Sequence, residues 1–182
     1  MRISLAELFP CKPDREAERL IEEFGRMVEW WIKKAQELPK TLSYQEFRKR
    51  FYRGWKEEWL GWNTQHAHTS SMLAYSLTRA YKPPRMREKP KKLKLRMPLA
   101  LIHYWAVRLK DGGLTIPTKN GREAYVKLEP RSRHQQKLLS QTEKGLWKIG
   151  QVTLTPKWTI ISFTKEINLE KEKHPEIEDL MV

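Results

Sequence analysis

The spacing of apolar positions changes character once along the chain. After a short alternating segment, "RISLAELF", the stretch "PDREAERLIEEFGRMVEWWIKKAQEL" repeats Leu20, Phe24, Met27, Val28, Trp31 and Ala35 at helical intervals. Pro13 needs no amide donor in a first helical turn, and Asp14 and Glu16 oppose the helix dipole, so a long amphipathic helix is predicted to start there. A second helix opens on Ser43 and Glu46, the two ends of a capping box, with Leu42 and Phe47 placed as a hydrophobic staple. Its aromatic face is Phe47, Phe51, Trp55 and Trp59, while Arg48, Lys49, Arg50 and Arg53 lie mostly off that face. A third helix is expected from Asn63 through "TQHAHTSSMLAYSLTRAY", stopping at Pro83 and Pro84, where proline removes a donor and restricts its predecessor.

From Lys92 the period becomes 2, as in "KLKLRM" and "LIHYWAVRL". Asp111-Gly112-Gly113 predicts one hairpin turn and Asn120-Gly121 a second, between "LTIP" and "REAYVKLE". "LWKIGQVTLT" and "WTIISFT" form a further pair around Pro156, with Gly150 as a candidate bulge. "SRHQQKLLSQTEKG" reads as a short polar helix capped by Ser132 and ended by Gly145. Five or six such strands need closure to hide their edges. The expectation is an α+β protein: a small antiparallel β-barrel, residues 1–12 plus 83–167, with a three-helix bundle inserted at 13–82. An acidic, flexible tail follows at 168–182.

Charge narrows the function. The chain carries 36 Lys and Arg against 22 Asp and Glu, a formal +14, together with 8 Trp, 6 Tyr and 5 Phe. That combination points to phosphate-bearing partners, nucleic acid first. The bland alternative is a surface whose bases merely solvate it. Cys11 is the only cysteine, which excludes an intrachain disulfide and a cysteine-based zinc cluster and suits a reducing, cytoplasmic setting. No run approaches the roughly 18 apolar residues of a membrane span.

Catalytic chemistry finds no foothold in the pattern. The acids fall mainly on the first two helices and in the tail, and no glycine-rich phosphate loop or nucleophile elbow occurs. His66 and His68 are two apart, about 200° around a helix, so they do not address one metal. Lys12 beside Cys11 could activate the thiol, yet no histidine is placed to serve it, and an inert thiol is expected. No metal, cofactor or enzymatic activity is expected. Trp55 and Trp59 read as core, whereas Trp30 and Trp31 are adjacent and cannot both point at one core.

The strongest signal is the segment Arg79, Lys82, Arg85, Arg87, Lys89, Lys91, Lys92, Lys94 and Arg96, opposed by Glu88 alone. A solvated linker is one reading. The other is an ordered basic edge, with Lys92, Lys94 and Arg96 on one strand face and Leu93, Leu95 and Met97 turned to the core.

The order of features, with "NTQHAHTSSMLAYSLTRAYK", the basic crossing, "GGLTIPTKNGREAYVKL" and "GQVTLTPKWTIISFTKEI", resembles the front half of TnpB, a family of transposon-encoded RNA-guided nucleases, over residues 1–167. The resemblance implies a wedge-type barrel with an inserted helical recognition domain, which together hold guide RNA and the guide–target duplex through backbone and shape. It places Arg79 to Arg96 at the junction of the lobes, and Arg48, Lys49, Arg53 and Gln65 on the recognition side. It also implies a nuclease domain beyond the barrel; Asp179 lacks the preceding glycine of the family's first catalytic aspartate, so cleavage by this chain alone is not expected. A non-catalytic module binding structured RNA or an RNA–DNA hybrid is therefore expected. Two rivals remain: an adaptor docking a protein partner such as a separately encoded nuclease half, and a DNA-binding regulator with a helix in the major groove.

Overall fold

The computed structural model describes residues 1–38, 42–80 and 95–167. The chain is α+β. Strand β1 (Arg2–Pro13) is followed by helices α1 (Arg15–Gln36), α2 (Tyr44–Glu58) and α3 (Gln65–Ala80), then by β2 (Ala100–Ile102), a 3₁₀ turn (Tyr104–Ala106), β3 (Arg108–Lys110), β4 (Gly113–Pro117) and β5 (Glu123–Leu128). Helix α4 (Arg133–Glu143) precedes β6 (Lys148–Leu154) and β7 (Trp158–Glu166). No helix among the described residues is long and apolar enough to cross a membrane.

Each helix begins where a side chain can accept the otherwise orphaned amides of its first turn. Helix α1 starts two residues later than proline chemistry suggests: Pro13 closes β1, paired with Val126, and Asp14 is the cap. One Asp14 oxygen accepts from Ala17 N at 2.8 Å and the other from Tyr125 N at 3.0 Å, so the cap also ties the helix to the sheet. The capping box of α2 forms as expected between Ser43 and Glu46, and Ser132 caps α4.

The seven strands form one antiparallel sheet in the order β2-β6-β7-β1-β5-β4-β3. Long β1 makes this possible, pairing with β7 along Arg2 to Pro10 and with β5 from Cys11 to Pro13. The expected closed barrel is not what forms: the sheet is open, with β2 and β3 as its edges. The reason lies in "LIHYWAVRL", read as one strand. His103 Nδ1 accepts from Trp105 N at 3.4 Å and Ala106 N donates to the His103 carbonyl at 2.8 Å, folding residues 104–106 into the 3₁₀ turn. Two three-residue stubs remain, one on each edge. Six residue steps reach about 20 Å at most, so the turn keeps the two stubs within that distance, but no ladder joins them.

The expected strand "KLKLRM" also fails where it can be followed. Leu95 packs against the core, but Arg96 and Met97 lie exposed in a bend, and β2 begins only at Ala100. Pro98 explains the break, since it donates nothing to a ladder and restricts Met97. Lys92 and Lys94, the expected stop at Pro83 and Pro84, and the tail at 168–182 lie outside the described residues.

The hairpin turns hold. Asp111 and Gly112 (φ 51° and 72°), like Asn120 and Gly121 (φ 55° and 73°), occupy the left-handed region that two-residue hairpins require. The ladder of β6 and β7 slips between Ile149 and Val152, placing the bulge at Gly150, where a Cβ would sit 2.3 Å from Ser162 Oγ. Helices and sheet share one continuous core running from Phe9 through Trp31 and Trp55 to Phe163.

Candidate nucleic-acid interface

Helix α3 separates two surfaces. It is built from small and hydroxyl-bearing residues, and Thr69, Ser70 and Ser71 are buried because their hydroxyls turn back on the helix's own carbonyls, Ser70 Oγ to His66 O at 2.6 Å being the shortest. His66 and His68 leave it in different directions, as their spacing predicts. The buried His66 Nε2 sits 2.7 Å from the Pro117 carbonyl. A carbonyl only accepts, so Nε2 carries the proton and Nδ1, buried, meets no donor among the described residues. Burial pushes the His66 pKa below its ordinary value, with the Pro117 bond opposing.

On the other side, His68 joins a run of rings crossing from helix to sheet. Tyr75 and Tyr44 have centroids 5.6 Å apart, Tyr44 and His68 6.1 Å, His68 and His103 5.4 Å, and His103 and Tyr104 4.3 Å. Trp105 completes it, 5.5 Å from both His103 and Tyr104 and steeply inclined to each. The Tyr44 hydroxyl is 3.1 Å from His68 Nδ1 and from Ser71 Oγ. Burial raises the Tyr44 pKa and lowers those of His68 and His103; the nearby Arg48 charge lowers His68 further. The run therefore grades from a half-buried end at Tyr75, Tyr44 and His68 to an open one, where Tyr104 is 46% and Trp105 71% exposed.

On the His66 side a hollow of about 200 Å³ is lined by Arg19 of α1 with Lys119, Asn120 and Arg122 of the β4–β5 hairpin. The left-handed Asn120-Gly121 turn folds the hairpin tip back so that Lys119 and Arg122 flank one space. Arg122 lies 3.6 Å from Glu16, while Arg19 forms no ion pair among the described residues. Three cations and an amide around one small cavity make it receptive to an anionic oxygen cluster such as phosphate. The wider groove beside it, about 820 Å³, mixes signs, with Glu16, Glu18, Glu22 and Glu23 beside Arg15 and Arg19.

The residues expected to bind nucleic acid are dispersed by the fold. Lys82, Arg85, Arg87, Lys89, Lys91, Lys92 and Lys94 lie outside the described residues. Arg79 is engaged internally: its guanidinium donates to the Leu42 carbonyl and covers the Tyr75 ring at 4.7 Å. Arg96 is exposed in its bend. On α2, Lys49 and Arg53 are exposed, Arg53 pairing with Glu57 at 3.2 Å, while Arg48 is half-buried, 5.5 Å from the Tyr52 centroid, with its Nε unpartnered among the described residues. Gln65 begins α3, its amide donating to Asn63 Oδ1 at 3.0 Å and its carbonyl accepting from Thr69.

Sequence reasoning missed Arg19, Lys119, Arg122, His103, Tyr104 and Trp105. The last three carried a signal, since neither a strand nor a helix can turn three consecutive rings to one core. Cys11 is buried, its thiol pushed up to about 11 by burial and by Glu129. Lys12 does not activate it, because its charge is held by Glu129 at 2.8 Å. Among the described residues no three His, Cys, Asp or Glu side chains gather to hold a metal ion. The sequence matches no protein-family model and no curated protein.

Proposed function

We propose that this chain is a non-catalytic nucleic-acid-binding module, similar in plan to the wedge and recognition region of TnpB, that takes structured RNA or an RNA–DNA hybrid mainly through phosphates. What supports the likeness is a first strand followed by three helices, a basic stretch of sequence from Arg79 to Arg96, and antiparallel hairpins. The observation that carries the reading is the Arg19–Lys119–Asn120–Arg122 hollow in a chain of net charge +14. Cations from a helix and a hairpin line one small space, and the chain's excess of positive charge favours an anionic partner there.

A salt titration with a hairpin RNA tests it. Neutralising six or so phosphates gives a slope of log affinity against log salt of about −4 to −5, at roughly 0.7 to 0.9 per phosphate. Reversing Arg19 and Arg122 to Glu together is expected to make that slope shallower by about 1 to 2. Absence of measurable binding by the full chain at low salt would overturn the reading.

A further inference from the structure

Most of the large side chains of this protein are hidden, but the indole of Trp105 is 71% exposed. It does not hang from a loose loop. Its turn is pinned by Ile102 in β2 and Arg108 in β3, by the buried Ala106 and Val107, and by the bond from Ala106 N to the His103 carbonyl. Tyr104 and His103 flank it, and its ring stands 73° and 82° to theirs. An aromatic surface held out from a rigid base loses little conformational entropy when something stacks on it.

We propose that Trp105, with Tyr104 beside it, is a stacking platform for an unpaired base of the bound RNA, a site distinct from the basic hollow. The inference rests on the nucleic-acid reading and specifies which part of the nucleic acid this surface takes. Three features select a base. Arg108 and Lys110 follow on β3, both exposed and on one face, with the half-buried Leu109 turned the other way. Cations within three to five residues of the platform suit the phosphates that flank a stacked nucleotide. The rings sit on a projecting turn, which can receive a base splayed from a loop or strand end but cannot enter the closed stack of a paired helix. The charged residues that follow along the chain, Arg108 and Lys110, are basic, and the indole stands open instead of in the desolvated apolar pocket of a protein-docking anchor.

Equilibrium binding by fluorescence anisotropy decides it, using an unstructured oligouridine, a fully paired RNA hairpin of similar length, and the full chain as wild type, Trp105→Ala and Trp105→Phe. The expected result is that Trp105→Ala weakens oligouridine binding about tenfold, the scale of one base–aromatic stack. Trp105→Phe recovers most of that loss, the hairpin affinity changes by less than about twofold, and the salt slope is unchanged, because no phosphate contact is removed. Unaltered thermal melting certifies the fold of both variants.

Trp105→Ala binding oligouridine as tightly as wild type would overturn the platform while leaving the nucleic-acid reading in place. Equal losses on both RNAs would do the same, since stacking discriminates between them. A wild-type chain that binds neither RNA at low salt removes both proposals. A copurifying protein partner lost in Trp105→Ala with RNA affinity unchanged would assign the surface to protein docking instead.

Discussion

Two sets of aromatic rings in this molecule have nearly the same local geometry and opposite surroundings. Under the helices, Trp31 lies 5.0 Å from Trp30 and 5.4 Å from Phe47, and Trp55 is 6.0 Å from Trp59. At the turn, His103, Tyr104 and Trp105 meet at 4.3 to 5.5 Å. Ring-to-ring distance does not separate them. Trp31 and Trp55 are 0% and 1% exposed, Trp105 71%. The lesson is in the spacing: Phe47, Trp55 and Trp59 recur on one helical face and go inside together, while consecutive rings must diverge, leaving Trp30 half-buried beside Trp31 and both Tyr104 and Trp105 exposed at the turn.

The largest expected effect tests that division directly. Trp31→Ala or Trp55→Ala should cost about 3 to 5 kcal/mol of stability, as truncation of a buried Trp does, whereas Trp105→Ala should fall within about 0.5 kcal/mol of wild type. Urea denaturation of the three variants measures it, and a Trp105→Ala variant as unstable as Trp55→Ala would erase the distinction. The core set carries its own flaw. Trp31 Nε1 and Trp55 Nε1 are buried without an acceptor among the described residues. Removing such a donor returns part of a desolvation cost of about 1 to 3 kcal/mol, so Trp55→Phe should be far milder than Trp55→Ala.

How much of this could be read from the sequence follows the range of the interactions involved. The Ser43–Glu46 box, the Ser132 cap, the Asp111-Gly112 and Asn120-Gly121 turns and the bulge at Gly150 are all set within a few residues, and each was legible. Trp30 was legible in part: adjacency to Trp31 demanded that one diverge, and Trp30 does, half-buried against Trp59 at 5.8 Å. The open sheet was not legible. "LIHYWAVRL" alternates well enough for a strand, and although its three consecutive rings signal that they cannot share one core, the bond from the Trp105 amide to His103 that breaks the strand is not written in that pattern. The basic hollow was invisible for the opposite reason, because Arg19 and Arg122 are brought together only by the packing of α1 on the hairpin.

Histidine offers a comparison of intermediate size. All three of His66, His68 and His103 have lowered pKa values, but burial is nearly complete only at His66. A histidine whose folded pKa lies below its unfolded value of about 6.5 binds fewer protons in the fold. Its stabilising contribution is intact above that pH and is lost as pH falls below it. The urea midpoint should therefore decline from pH 7 toward pH 5. His66→Gln, which can still donate to the Pro117 carbonyl, should remove the largest share of that decline, and His103→Gln much less. Equal flattening by both would mean that the turn contributes as much to the pH dependence as the core does, against this expectation.

The smallest effects concern the cations that accompany the two ring sets. Arg79 covers Tyr75 at the half-buried end and donates to the Leu42 carbonyl, so its charge is engaged within the fold. Arg108 stands exposed beside the open end. Arg79→Met should lower stability by about 0.5 to 1 kcal/mol, the scale of an exposed cation–π contact, and leave the salt slope of RNA binding where it was. Arg108→Gln should leave stability alone and make the slope shallower by about 0.7 to 0.9, the signature of one phosphate contact. If Arg79→Met also made the slope shallower by that amount, the basic crossing would begin within α3 itself, and the half-buried end of the ring run would belong to the interface as much as the exposed one.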